Sequence, residues 1–121
     1  MSDTTENQLS PHFTIAEMKC RCGCGLYIPN EKLIDLLEVI RSHFNQPVNI
    51  HCGTRCTHHN IEVGGAPNSQ HLLGAAADFD IETILPHFVY KWLDTWHNGG
   101  LGDYATFTHI DVRGNKARWK G

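Results

Sequence analysis

The segment Ser69-Gln-His-Leu-Leu-Gly-Ala-Ala-Ala-Asp78 constrains this chain more than any other. His71 and Asp78 stand seven positions apart with Gly74 between them. Gly74 lets the chain turn, since it carries no Cβ. The alanines after it leave so little side chain that their strand can pack closely. A histidine before such a turn and a carboxylate on the following strand can converge on one ion. A third ligand must then come from a neighbouring strand, and Phe107 to Arg113 offers one. Strand alternation puts Phe107, His109, Asp111 and Arg113 on one face and Thr108, Ile110 and Val112 on the other. Two histidines and one carboxylate, with a fourth position left to water, is the donor set of a catalytic zinc site. A structural site would close that position, usually with thiolate. The helical HExxH motif is absent. On spacing alone, a pair of satisfied histidines in a small core remains the competing reading.

The rest of the chain supplies a scaffold for one domain. Its 121 residues are 40% hydrophobic and 19% charged, enough apolar material for one core and too much for a disordered chain. Residues 1–11 read as a loose tail and 12–121 as a single domain. Thr14 and Glu17 have capping-box spacing, which predicts a helical turn over Ile15 to Met18. Asn30 is placed to cap a helix from Glu31 to Phe44 with Leu33, Leu36, Leu37 and Ile40 on its apolar face. A strand is expected over Val48 to His51, a brief helix over Cys56 to Val63, and a strand over Ala75 to Ile81. Leu85, Phe88, Val89, Trp92 and Trp96 predict a helical face within Ile84 to His97. Two closing strands follow, Leu101 to Tyr104 and Phe107 to Arg113. The pattern is α+β, a small antiparallel sheet flanked by helices.

A net charge of -3 argues against nucleic acid or an anionic membrane as the main partner. No apolar run is long enough to span a bilayer. The N-terminal residues lack the apolar region of a secretory signal, so synthesis in the cytoplasm is expected. The five cysteines, Cys20, Cys22, Cys24, Cys52 and Cys56, fit a reducing compartment. Alternate spacing in Cys20, Cys22 and Cys24 is poor for chelation by one strand. Pairing with Cys56 in a zinc or disulfide staple stands beside the plainer reading of a loop of partly buried thiols.

SQHLLGAAAD resembles the SxHxxGxAxD signature of the zinc D-alanyl-D-alanine carboxypeptidase family, whose members cut bacterial peptidoglycan peptides. FTHIDVRG followed by Ala117-Arg118-Trp119 resembles the second signature of its phage and prophage branch, which includes endolysins. The stretches His12 to Cys24 and Cys52 to Asn60 are also similar to that branch. The resemblance implies a hedgehog-like α+β peptidase fold, a bound Zn2+, and peptidoglycan stem peptides as substrate. Carried over by position, it implies His71, Asp78 and His109 as zinc ligands and Arg55 as the holder of a substrate carboxylate, for which a guanidinium fork is suited. Arg55 in a structural ion pair is the alternative. Ser69 is then expected to hydrogen-bond substrate or an adjacent carboxylate, and His59 and Asn60 to support the site. Asp80 shares strand parity with Asp78 and reads equally well as a surface carboxylate.

This sequence also departs from the family. Thr106 and Phe107 stand where many members carry an acid or a histidine, and Cys52 and Thr54 where serine and tyrosine are common. The general base is therefore sought in Asp103, six positions before the last ligand, or in Asp111, with His97 as a further candidate. Tyr104 is a candidate oxyanion donor. The expected reaction is zinc-dependent peptide hydrolysis of the D,D-carboxypeptidase or endopeptidase type. Cleavage of the L-alanyl-D-glutamate bond is one rival, and a non-catalytic zinc-containing binding module is another. A monomer is expected, reaching the cell wall after release or delivery.

Overall fold

Asn30 closes the first turn of the longest helix by accepting a hydrogen bond from the Leu33 N–H at 3.1 Å. That helix sets the core. In the computed structural model, which describes residues 7–121, the elements run β1 (Gln8–Ser10), β2 (Phe13–Thr14), α1 (Ile15–Met18), α2 (Glu31–Phe44), β3 (Asn49–Cys52), α3 (Thr57–Glu62), a 3₁₀ turn (Gln70–Leu73), β4 (Ala76–Asp80), α4 (Pro86–Asp94), β5 (Gly100–Asp103), β6 (Thr108–Asp111) and β7 (Ala117–Lys120). The capping box at α1 forms in both directions. Asn45 ends α2 in the left-handed conformation, its N–H bonded to the Arg41 carbonyl at 2.9 Å.

The larger sheet has the order β3-β4-β6-β5-β7. All its pairings are antiparallel except β5 with β7. The expected α+β class is what forms, with one parallel strand at the edge. One sheet face carries Ala77, Phe79, Leu101 and Ile110, all fully buried. Leu33, Ile34, Leu37 and Ile40 of α2 and Val89 and Leu93 of α4 belong to the same core. Each full burial of such a side chain contributes about 1.5–3 kcal/mol. The opposite face is left for polar residues.

Several expectations change. Of the expected face around α4, Val89 is buried with Leu93 and Trp92 packs partly against the core, while Leu85, Phe88 and Trp96 are exposed. The helix starts at Pro86, whose fixed φ and missing N–H suit a first turn, and it ends at Asp94 rather than His97. Residues 1–6 of the expected tail lie outside the described residues. Gln8–Ser10 forms a short strand against β2, and the Ser10 hydroxyl donates to Glu38 of α2 at 2.5 Å. No helix among the described residues is long and apolar enough to cross a membrane.

Candidate metal centre and its cavity

A single row across the sheet places the polar residues. Cys52 of β3 lies beside Asp78 of β4, Asp78 beside His109 of β6, His109 beside Gly102 of β5, and Gly102 beside Trp119 of β7. His71 enters from above on the 3₁₀ turn. Ser69 caps that turn, its Oγ accepting from the His71 N–H at 3.2 Å. Gly74 ends it at φ +69°, where a Cβ would also sit 2.7 Å from that of Ile28. The glycine is required on both counts.

Three of the expected residues converge. Asp78 Oδ2 lies 3.2 Å from His71 Nε2, and Asp78 Oδ1 lies 2.9 Å from His109 Nδ1. The outer nitrogen of each ring is already engaged. His71 Nδ1 is 2.7 Å from the Gly53 carbonyl, which can only accept, so this nitrogen carries the proton. His109 Nε2 is 2.7 Å from Asp111 Oδ2, and donates to it in the same way. In the neutral rings the inner nitrogens are then lone pairs facing a carboxylate. His71 Nε2 is buried with no well-formed hydrogen bond. Two lone-pair nitrogens, one on each oxygen of a shared carboxylate, with the outer nitrogens fixed by carbonyl and carboxylate, make a donor set that suits a cation. Without one, protons take its place. Burial pushes His71 down, but its contacts with Asp78 and Cys52 outweigh this and hold its pKa up at about 10. Burial pushes Asp78 up, yet His109 and His71 hold it well below the usual carboxylate range.

The two expected general bases do not reach this point. Asp103 follows Gly102, so strand parity turns it to the other face from His109. Its carboxylate bonds His87 Nδ1 at 2.9 Å, in a separate cavity with Leu85, Pro86 and Lys120. Asp111 is on the right face but behind His109, fully buried. Both its oxygens are consumed, Oδ2 by His109 and by Arg113 Nη2 at 2.8 Å, Oδ1 by the Gly100 N–H at 2.9 Å and by Arg113 Nε at 2.9 Å. It orients the imidazole and has no free edge for water. His97 bonds the Asp111 carbonyl at 2.8 Å, and burial lowers its pKa. It also lies outside the cavity that holds the three convergent residues. Asp80 turns to His51 at 2.5 Å.

That cavity has a volume of about 710 Å³, and Arg55, Ser69, Tyr104, Arg113 and Trp119 share its lining with His71, Asp78 and His109. Arg55 Nη1 donates to Asn60 Oδ1 at 2.8 Å and Nη2 to Cys52 Sγ at 3.3 Å, while its buried Nε has no partner. No carboxylate pairs with Arg55 among the described residues, so the structural ion pair does not form. Asn60 is buried and supports the guanidinium, whereas His59 faces Glu62 at 3.5 Å instead of the cavity. Tyr104 Oη accepts from Trp119 Nε1 at 2.9 Å, which leaves its own proton free to donate. A Cβ on Gly102 would lie 2.7 Å from the Tyr104 ring, so glycine there lets the ring close over the row.

Cys52 was not among the expected site residues. Its Sγ lies 3.6 Å from His71 Nδ1, and potential ligand atoms of Cys52, His71 and Asp78 all lie within 4.8 Å of one another, a group that does not include His109; His109 is tied to it only through its contact with Asp78. Burial raises its thiol pKa, but His71 and Arg55 outweigh that and lower it. The Cys52↔Asp78 register, which no sequence pattern announces, is the signal that places it.

A profile of the peptidase M15 family matches residues 11–111. This chain belongs to the peptidase M15 family. A Haemophilus influenzae protein named as a probable peptidoglycan L,D-endopeptidase, MepK, is 34% identical to the M15 chain over 84 residues. The match covers 64% of this chain and 45% of that protein, so the chain spans just under half the length of the curated relative.

Proposed function

We propose that this M15 chain is a zinc-dependent peptidase that hydrolyses peptide bonds in the stem peptides of bacterial peptidoglycan. The observation that carries the reading is that His71 Nε2 and His109 Nδ1 each meet one oxygen of the Asp78 carboxylate in a cavity that Arg55 also lines. Two neutral imidazole nitrogens and a carboxylate are a zinc donor set with an open position. Zinc held there supplies Lewis acidity to polarise a carbonyl and acidify water.

The chain's own residues do the rest. Arg55 pairs a carboxylate of the peptide, and Asn60 and Cys52 hold its guanidinium in orientation. Tyr104 donates its free proton to the oxygen that gains charge, with Trp119 fixing the phenol. Asp111 holds the His109 ring by Nε2. The likeness to a peptidoglycan L,D-endopeptidase supports stem peptides as substrate and favours an endopeptidase over a carboxypeptidase. Incubation of the zinc-loaded chain with defined cross-linked and linear muropeptides, read by mass spectrometry, tests this. Cross-linked muropeptides should be split at an internal bond. Release of terminal D-alanine would assign the D,D-carboxypeptidase type, and cleavage after L-alanine the L-alanyl-D-glutamate type.

One observation keeps a second reading in play. Among the described residues lining the cavity, Asp78 is the one carboxylate, and it belongs to the ligand set. A zinc-bearing module that binds wall peptide without turnover fits that feature. Retention of muropeptides with no product from any of them would establish it.

A further inference from the structure

The loop Cys20 to Gly25 does not run as a strand. Residues 21–24 turn, and Gly23 and Gly25 adopt φ of +93° and +82°. Nothing crowds a Cβ at either glycine, so the backbone angle alone demands the residue. The curl defeats the alternation that would have spread the thiols along a strand. It gathers Cys20, Cys22 and Cys24 to one point, and Cys56 meets them from the start of α3. The four sulfurs all lie within 4.8 Å of one another. Cys22 Sγ is 3.5 Å from that of Cys20 and 3.7 Å from that of Cys56.

We propose that Cys20, Cys22, Cys24 and Cys56 form a closed tetrahedral zinc site, separate from the His71 centre. Four sulfurs held about 2.3 Å from one zinc lie about 3.8 Å apart, close to the 3.5 and 3.7 Å of the two pairs above and far from the ~2.05 Å of a disulfide. All four cysteines are free. Backbone N–H groups already point at three of the sulfurs, from Cys56 to Cys20 at 3.3 Å, from His59 to Cys56 at 3.3 Å and from Leu26 to Cys24 at 3.5 Å. Such donors stabilise metal-bound thiolates. Binding is balanced as one Zn2+ taken up and four thiol protons released. The complex then carries two negative charges beside those N–H groups. With four protein ligands no position is left for water, so the site's work is structural.

Its place in the fold gives that work a purpose. Cys56 directly follows Arg55, and the Arg55 N–H bonds the His71 carbonyl at 3.0 Å. The Thr54 N–H bonds the Met18 carbonyl at 2.8 Å, two residues before Cys20. A metal on the four thiols ties Cys56 to the Cys20 loop and so fixes the segment that presents Arg55.

The test is zinc content per chain in protein purified without chelator, for the wild type, Cys22→Ser/Cys24→Ser and His71→Ala/His109→Ala. Cys22 and Cys24 are exposed, so serine there leaves no core cavity. Two zincs in the wild type and one in each double variant are expected. Cobalt(II) loaded into His71→Ala/His109→Ala should give intense sulfur-to-metal charge-transfer bands. Should the His71 centre hold no metal, the wild type carries one zinc and the cysteine variant none, so the two readings fail separately. A zinc count unchanged by Cys22→Ser/Cys24→Ser overturns the proposal. So does a chain two hydrogens lighter than its thiol form, which would show a disulfide.

Discussion

The strap from Cys52 to Cys56 joins two unlike clusters of potential ligands. At one end, Asp78 and His109 sit on central strands of the sheet and His71 on the 3₁₀ turn before them, locked from behind: His71 by the Gly53 carbonyl, His109 by Asp111, and Asp111 by Arg113. At the other end, four thiols sit on a glycine-shaped loop and a helix start, held by backbone N–H groups. The first set has three donors and opens into a cavity, and the second has four and closes on itself. Rigid strands suit a site whose open position must stay aligned with substrate. A loop suffices where the ion itself supplies the rigidity.

The largest expected effect separates the two ends. Asp78→Ala or His109→Ala should strip the open site of its metal and remove Lewis acidity worth several kcal/mol, about a thousandfold or more in hydrolysis. Zinc on the thiols should remain. Loss of both zincs would show that the two ends are one folding unit. Arg55→Lys should come next, lowering muropeptide hydrolysis on the order of a hundredfold with zinc content unchanged, because lysine lacks the planar fork. A variant that loses zinc or unfolds would give Arg55 a structural role instead.

Asp111→Asn should weaken metal at the open site about 10–100-fold, as measured by competition with a chromogenic chelator. It should also change the pH dependence of stability. Burial raises the Asp111 pKa, but the bonds to His109 and Arg113 outweigh that and hold it well below the carboxylate range. An unfolded aspartate titrates near about 3.9. Below that pH the unfolded chain takes up a proton that the folded chain refuses. The stabilisation is therefore complete above about pH 5 and is lost progressively as pH falls through the unfolded value towards the folded one. Urea midpoints of the metal-free wild type should drop between about pH 5 and pH 3. Asp111→Asn should start lower and drop less, with Asp78 supplying what remains. The smallest effect on catalysis should come from Cys22→Ser, a change of a few-fold, against a clear fall in melting temperature.

Legibility in the sequence follows the same division. The caps at Thr14 and Asn30, the α2 face and the meeting of His71 with Asp78 are legible because each rests on local spacing or on a signature that fixes residues seven apart. The facing of Asp103 could not. It depends on the register Gly102↔His109, which the turn between β5 and β6 sets and no periodicity reveals. β7 was missed because Ala117, Arg118, Trp119 and Lys120 are half-exposed edge residues with no apolar alternation. The gathering of the thiols is not legible from alternate spacing, because Gly23 and Gly25 curl the segment out of extended form.

X-ray absorption at the zinc edge, recorded on the Cys22→Ser/Cys24→Ser variant, asks directly whether His71, Asp78 and His109 hold the metal. With the thiol cluster disabled, the expected result is one zinc per chain whose nearest shell is nitrogen and oxygen alone, at about 2.0–2.1 Å, with imidazole scattering behind it. A shell dominated by sulfur at about 2.3 Å, or no retained zinc, would contradict the open site.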